Sequence, residues 1–391
     1  MSRSLPLVTT ADRRHRLGRR HRLAPSARAA TVPGAADAVV ALHATDAATV
    51  FLSTRARLVD CTPTAIEQAL YEDVSLVRLL SMRNTLFAVS REFAPYVDSS
   101  TARAIALKER RTLLKHLAED GQGLDAEWLA RVEAAALAAL DVNGASTGSQ
   151  LSAAVPGLRR KITVGRGKKY EAETGVTTRV IRLLAADGRI RRDRPRGSWT
   201  SSQYRWVHTE PWAPVPAAEA RAELARRWLH AYGPATEADL KWWTGWPLTD
   251  VRKALAATGT EEVRLEGGST ALVAVGDGAP EAPTEPWAAL LPALDPSGMG
   301  WADRGFQLDP AHRAALFDYA GNIGPTVWWN GEIVGGWAQR AGGEVVWKLL
   351  SDRGRDAELA ITTEARRLTQ WVGDARVTPR FRTPLERELV A

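Results

Sequence analysis

Residues 216–275, PAAEARAELARRWLHAYGPATEADLKWWTGWPLTDVRKALAATGTEEVRLEGGSTALVAV, carry the clearest fold signal in the chain. Apolar residues recur there at helical spacing, Gly233-Pro234 interrupts the first run, and Thr236 with Asp239 is a typical helix-capping pair. The predicted elements are helices over 217–232, 237–243 and 250–257 and strands over 262–265 and 270–275. Three helices followed by a hairpin are typical of a winged helix, a variant of the helix-turn-helix fold.

The same order of elements is predicted twice more along the chain. The second unit has helices over 126–140, 147–154 and 178–186 and strands over 189–192 and 199–207, with a basic loop over 159–169. The N-terminal unit has helices over 10–23, 36–43, 47–58 and 63–71 and strands over 76–82 and 85–89. A long helix over 93–119 links these two units.

A segment rich in Gly and Pro, residues 276–286, predicts a linker, and a region of different texture follows it. Strands are expected over 290–294, 326–329, 332–340, 345–350 and 376–382, with a helix over 356–372. The sequence therefore predicts an α+β protein with three tandem winged-helix units and a C-terminal β-rich, barrel-like α+β domain. The corresponding boundaries are 1–92, 93–120, 121–212, 213–276 and 287–391.

Composition excludes several classes of protein. The chain has 391 residues, 45% of them hydrophobic and 25% charged, which is ordinary for a globular protein. Its single cysteine, Cys61, excludes a disulfide framework and a site built from several thiolates. No apolar run reaches the roughly 18 residues that a membrane helix needs. We expect a cytoplasmic protein that does not enter a membrane.

Positive charge is concentrated in two segments. Residues 158–206 contain 14 Lys and Arg against 4 Asp and Glu, and residues 13–28 contain 7 basic residues and no acidic one. The whole chain has a net charge of +7, so the remainder is acidic. Clustered basicity of this kind favours nucleic acid as the partner, although an incidental patch stays an alternative.

The candidate DNA contacts are basic residues of these segments and polar residues of two turns. They are Arg13, Arg16, Arg20, Arg83, Asn84, Arg159, Arg160, Lys161, Lys168, Lys169, Arg191, Arg192, Arg194 and Asn330. The turn at Arg83-Asn84 either reaches phosphate or is an ordinary solvated turn. The hairpin tip at Asn330-Gly331 either enters a minor groove or packs against the protein. His21, which lies among arginines, is expected to face solvent or phosphate.

The sequence lacks the common motifs for nucleotide hydrolysis, dinucleotide binding and zinc hydrolysis, and its histidines are scattered. We therefore expect no cofactor and no metal. His43, Thr45 and Asp46 are the candidate catalytic residues, because His43 at the end of an apolar helix can accept a proton near neutral pH and Thr45 can orient a water. Alternatively, Thr45 or Asp46 only caps the helix that begins at Ala47.

These segments resemble the AlkZ/YcaQ-type winged-helix DNA glycosylases, a mostly bacterial family. The similarity begins with the basic N-terminal helix and continues in order through nearly the whole chain. It rests on residues 40–46 (VALHATD), 80–86 (LSMRNTL), 199–206 (WTSSQYRW) and 291–296 (LPALDP).

The resemblance implies a monofunctional glycosylase that hydrolyses the N-glycosidic bond of alkylated purines, including bulky adducts and interstrand crosslinks. It also implies a role in DNA repair or in self-resistance to a DNA-alkylating antibiotic. In the family a Gln-x-Gln motif holds the attacking water. Here His43 and Thr45 replace the two glutamines, and Asp46 matches the acidic residue that follows.

The expected partner is double-stranded DNA containing alkylated purines, bound in the nucleoid. Three unequal winged helices in one chain favour a monomer that wraps around a lesion. The alternative is a non-catalytic winged-helix DNA-binding protein or transcriptional regulator, which usually binds a palindrome as a dimer. An RNA-binding module is a third possibility, but recognisable RNP strands are missing.

Overall fold

The computed structural model describes residues 5–169 and 171–391, which form a mixed α/β fold. The helices are α1 (Thr10–Arg20), α2 (Val32–Asp37), α3 (Ala47–Arg55), α4 (Pro63–Glu67), α5 (Ala94–Val97), α6 (Arg103–Asp120), α7 (Ala126–Asn143), α8 (Gly148–Ala154), α9 (Val176–Ala186), α10 (Ala217–Tyr232), α11 (Glu237–Thr244), α12 (Leu248–Thr258), α13 (Arg313–Leu316), α14 (Gly354–Val372) and α15 (Pro384–Val390). The strands are β1 (Leu7–Val8), β2 (Leu42–His43), β3 (Leu76–Ser81), β4 (Thr85–Ser90), β5 (Lys161–Val164), β6 (Ala172–Gly175), β7 (Ile190–Asp193), β8 (Arg205–His208), β9 (Thr260–Leu265), β10 (Thr270–Ala274), β11 (Ala288–Leu291), β12 (Thr326–Trp329), β13 (Glu332–Gln339) and β14 (Val345–Leu349). No helix among these residues is long and apolar enough to cross a membrane.

The segment from α10 to β10 has the three helices and the hairpin that its sequence predicts. The capping pair is present: the Thr236 hydroxyl accepts a hydrogen bond from the Asp239 amide, and the Asp239 carboxylate accepts one from the Thr236 amide. The structure adds a strand that the sequence did not predict, because β1 from the N-terminus pairs in parallel with β9.

The basic segment also has its predicted helices α7, α8 and α9 and its hairpin β7-β8. The expected basic loop over 159–169 is wrong in one respect, since β5 and β6 form a second antiparallel hairpin there. Leu129, Leu137, Leu158, Val180 and Leu184 belong to a hydrophobic core that this part of the chain forms together with Leu113 and Leu117 of α6.

The region predicted as a long helix over 93–119 contains α5 and α6 with a π-helical turn over 98–102 between them. The predicted helix over 36–43 is wrong. Helix α2 ends at Asp37, Val40 has a positive φ of 66°, and Leu42–His43 forms an edge strand opposite Phe87 and Ala88 of β4. The run from Ala38 to Leu42 is apolar throughout, and such a run predicts burial without distinguishing a helix from a strand.

The C-terminal sheet is an open antiparallel meander in the order β11-β12-β13-β14, with α14 packed against it. Its outer strands β11 and β14 do not pair with each other in the described residues, so the sheet is not a closed barrel and the barrel-like form is not confirmed. The predicted strand over 376–382 is also absent. The Gln339 side chain instead hydrogen-bonds the Val377 amide and the Ala375 carbonyl, which replaces a strand ladder, and the chain ends in α15.

Two larger hydrophobic cores combine residues from both ends of the chain. One includes Leu17 of α1, Trp228 of α10 and Trp328 of β12, and the other includes Phe51 of α3 and Trp337 of β13. A hydrogen-bonded ion pair between Arg57 and Asp295 lies between these ends, with side chains 0% and 2% exposed. The N-terminal helices, the strands β3-β4 and the C-terminal sheet therefore pack as one block.

Candidate active site

Strand β2 places His43 at the edge of the sheet β2-β4-β3. The backbone pairs with Phe87, and the two rings lie 5.1 Å apart between centroids. The residue is only 6% exposed, and this burial, together with the smaller effect of the nearby charge of Arg83, lowers the pKa of His43 to about 3. The imidazole is therefore neutral at physiological pH, contrary to the expectation that it titrates near neutrality.

The hydrogen bonds of His43 define its tautomer. Nδ1 accepts a long hydrogen bond of 3.4 Å from the amide of Thr45. In a neutral imidazole the other nitrogen then carries the proton, so Nε2 is a donor. A ring held in this way can hydrogen-bond a water or a sugar oxygen, but it is poorly suited to act as a general base.

Thr45, which follows the edge strand β2, lines a cleft of about 450 Å³. The cleft lies between the sheet β2-β4-β3 and the basic segment that contains α9 and β7-β8. Among the predicted site residues, the cleft brings together Thr45, Asn84, Arg191 and Arg192. His43 does not line it but is covered by Phe87. A cleft of this size lies in the range of small-molecule sites, roughly 300–1,000 Å³.

Asp46 faces another direction and does not line the cleft. One carboxylate oxygen accepts the amide of Ala48, 3.1 Å away, as the N-cap of α3, and the other accepts the amide of Arg380, 3.0 Å away. The capping alternative is therefore present in the structure. Through its second bond Asp46 also fixes the backbone of Arg380, which does line the cleft.

The cleft has a strongly positive wall that sequence reasoning recognised only in part. It is lined by five arginines and by no acidic residue; the arginines are Arg78, Arg182, Arg191, Arg192 and Arg380. Arg78, Arg182 and Arg380 were missed. The sequence contained an indication for Arg78, because this residue is the one charged residue in the apolar strand LVRLLS over 76–81. It contained none for Arg380, because a contact with Asp46 across more than 300 residues is invisible in sequence.

Three predicted DNA contacts on α1 make contacts within the protein. Arg16 is 2% exposed and donates to the carbonyls of Asp277 and Ala279 in the linker. Arg20 pairs with Asp277 and Glu281, while the guanidinium of Arg13 lies 3.8 Å from the centre of the Phe306 ring. Arg16 and Arg20 therefore attach α1 to the linker, and Arg13 contacts the C-terminal region.

His21, on the turn that ends α1, is a correction of the same kind. It is fully buried, with Nδ1 2.8 Å from the Ser297 hydroxyl and Nε2 3.1 Å from the Ala231 carbonyl. Burial lowers the pKa of His21 to about 3. The basic neighbours in its sequence suggested exposure, but the long-range packing buries its ring.

The two turns with predicted contacts are also tied to the protein. The guanidinium of Arg83 lies 4.4 Å from the centre of the Trp242 ring. The side-chain amide of Asn84 donates a hydrogen bond to Glu109 and accepts one from Arg182. Asn330 is exposed, but its side chain accepts the amide of Trp287 and its turn abuts α1, which favours the packed hairpin over a groove-inserting tip. Trp328 beside it is completely buried.

Basic residues of the second segment remain at the surface. Arg159, Arg160, Lys168 and Lys169 are exposed. Arg159 borders an open groove between α8 and α9. Lys161 pairs with Glu173 across the β5-β6 hairpin at 2.7 Å. Arg194, in contrast, pairs with Glu67 and Glu72 and thereby docks the β7-β8 hairpin on the N-terminal block.

The fold is similar to that of the Streptomyces sahachiroi DNA glycosylase AlkZ, with a TM-score of 0.69 and 21% identity over 95% of this chain and 98% of that chain. No curated protein sequence matches significantly. Residues 36–371 match the family model described as DNA glycosylase AlkZ-like. Because this match covers most of the sequence, the chain belongs to the AlkZ-like family of DNA glycosylases.

Proposed function

We propose that this DNA glycosylase hydrolyses the N-glycosidic bond of alkylated purines in double-stranded DNA, including bulky adducts and interstrand crosslinks. The observation that carries the proposal is the cleft beside Thr45, which is lined by five arginines and no acid. Such a wall suits the phosphates around a damaged nucleotide, and Thr45 lines the same cleft.

The chemistry needs little acid or base from the protein. A purine alkylated at N7 is cationic, so the C1′–N9 bond breaks with its electron pair moving to the purine, which leaves neutral. Water then bonds to C1′ of the oxocarbenium-like sugar and releases its proton to solvent. In this scheme Thr45 orients the water, and His43 acts as a positioning residue whose neutral Nδ1 accepts the amide of Thr45.

Asp46 takes part as a positioning residue in this proposal. Its carboxylate holds the Ala48 and Arg380 amides, so it fixes both the start of α3 and one part of the cleft wall. No lysine lines the cleft. Without an amine to form a Schiff base with C1′, the reaction stops at the abasic site, which is the behaviour of a monofunctional glycosylase.

The wider DNA surface comes from the three predicted winged-helix units. Exposed Arg159, Arg160, Lys168 and Lys169 would contact phosphates beyond the cleft. We expect a monomer wrapping a lesion, acting in the nucleoid of a bacterial cytoplasm in general repair or in self-resistance to a DNA-alkylating antibiotic.

The deciding experiment incubates the protein with duplex DNA carrying one N7-alkylguanine and measures free base by chromatography, followed by alkali to reveal abasic sites. Release of the modified base, with strand breakage only after alkali, is the expected result. The replacement of Gln-x-Gln by His-Ala-Thr favours one other candidate, a non-catalytic DNA-binding protein. Tight duplex binding without base release from N7-alkylguanine or crosslinked duplexes would support that candidate.

A further inference from the structure

Arg78 is an unusual residue for the interior of a sheet. It lies in the middle of β3 and is 8% exposed, yet only one of its nitrogens has a protein partner: Nη1 donates to the Tyr71 hydroxyl at 2.9 Å. Nε and Nη2 are buried and find no acceptor among the described residues. A buried charged donor without an acceptor is costly, so its retention in a cleft wall indicates an anionic ligand.

Two neighbouring arginines share this property. Arg192 stacks 3.8 Å from the centre of the Tyr204 ring, which orients its guanidinium, and its Nε and Nη1 are buried without an acceptor among the described residues. Burial and then the charges of Arg78 and Arg380 lower the pKa of Arg192 to about 10, which leaves it charged at neutral pH. Nη1 of Arg191 is buried and unpaired in the same part of the chain.

Two arginines that are fully or almost fully buried elsewhere in the chain have a carboxylate partner. Arg57 has Asp295, and Arg16 has Asp277. The cleft is different because no Asp or Glu lines it. The missing counter-charge is therefore available only from a bound anion.

We propose that Arg78, Arg191 and Arg192 bind one backbone phosphodiester directly adjacent to the target nucleotide. This inference rests on the proposed function and adds the contact that positions the sugar. Planar guanidinium forks match the oxygens of a phosphate, and the aromatic ring beneath Arg192 keeps its fork in place. The phosphate also solves an electrostatic problem, because bare arginines would oppose the positive charge that develops at C1′, whereas a neutralised cluster would not.

The test combines single changes in the protein with single changes in the DNA. Duplexes carrying one N7-methylguanine have one neutral methylphosphonate placed at each linkage flanking the lesion in turn. Binding is measured by fluorescence anisotropy with the parent protein and with Arg78→Gln. At one of these linkages the methylphosphonate should weaken binding by the parent protein about 10- to 100-fold, as expected for the loss of a charge-assisted contact. Arg78→Gln should cause a similar loss and should be insensitive to that same methylphosphonate.

Arg196→Gln is the matched control, because Arg196 is exposed on the same hairpin region and does not line the cleft. Its effect should add to that of the methylphosphonate. Thermal melting checks folding, and Arg192→Gln replaces Arg78→Gln if the latter does not fold. The proposal would be overturned if the affinity losses from Arg78→Gln and Arg192→Gln added to the loss from the methylphosphonate. It would also be overturned if no flanking linkage were sensitive to the methylphosphonate.

Two further outcomes separate the possible sources of phosphate and the two proposals. Inorganic phosphate that competes with the duplex, while every methylphosphonate is tolerated, would indicate a free phosphate site and contradict the backbone assignment. Base release is measured on the same duplexes. If the effects of Arg78→Gln and the methylphosphonate on affinity are not additive but no base is released, the phosphate site is supported and the proposed reaction is refuted. If base is released but the two effects are additive, the proposed reaction is supported and the phosphate site is refuted.

Discussion

Thr45 and His43 are two residues apart, yet only Thr45 opens into the cleft. We expect Thr45→Val, which removes the hydroxyl but keeps the shape, to slow base release about 10- to 100-fold while duplex affinity changes little, because the water is lost only from the reacting complex. Thr45→Ser keeps the hydroxyl and should retain most of the rate. Single-turnover release from N7-methylguanine duplexes measures both, and equal rates for the two variants would remove Thr45 from the mechanism.

The buried histidines make stability depend on pH. Burial lowers the pKa values of His43 and His21 to about 3, below their ordinary value of 6.5. Between these values the unfolded chain binds protons that the folded chain does not, so the free energy of unfolding falls as pH decreases from 6.5 towards 3. Each histidine contributes a slope of about 1.4 kcal/mol per pH unit in that window.

Denaturant titrations at a series of pH values check this dependence. His21→Gln and His43→Gln should each reduce the acid slope by their own share, even if His21→Gln lowers stability at neutral pH through lost hydrogen bonds. A slope that neither substitution changes would mean that the imidazoles are not buried as neutral rings.

The arginines of the hairpin β7-β8 fall into two groups that differ in their hydrogen-bond and ion-pair partners. Arg191 and Arg192 face the cleft with unpaired donors, whereas Arg194 is paired with Glu67 and Glu72. Arg191→Gln and Arg192→Gln should each flatten the log-log salt dependence of duplex binding, by at most about 0.9 because both arginines bind the same phosphate. Arg194→Gln removes the same charge and should leave the slope unchanged, while loosening the hairpin. Equal flattening by all three would place Arg194 on the DNA as well.

Local signals in the sequence predicted some elements well and others poorly. The segment 217–274 was predicted almost throughout, because its caps, its Gly-Pro stop and its glycine turn act between neighbours in the chain. The strand at His43 was not, because its pairing with Phe87 is non-local. The arginine cleft was half predicted for the same reason: clustered charge identified Arg191 and Arg192, but only the fold brings Arg78 and Arg380 to them.

The two ends of the chain are joined by a buried polar centre. Asp295, which follows β11, accepts hydrogen bonds from Arg57, from the Ser53 hydroxyl at 2.6 Å and from the Ser297 amide at 2.9 Å. Ser297 in turn lies beside His21. The site strand β2 and the helix α3 that follows it are therefore held in place by the C-terminal region, while the segment with α7–α9 has its own core.

Removing the ion pair of this centre should destabilise both ends of the chain together. Asp295→Asn leaves Arg57 buried without its counter-charge, and we expect a loss of about 3–5 kcal/mol in the free energy of unfolding. Hydrogen exchange should then accelerate in α3 and in β11–β13 by similar factors, while amides of α7 and α9 stay protected. The double variant Arg57→Met/Asp295→Leu removes both charges and should recover most of the loss. A loss below about 1 kcal/mol for Asp295→Asn, or faster exchange confined to one end, would show that the ion pair does not join the two ends.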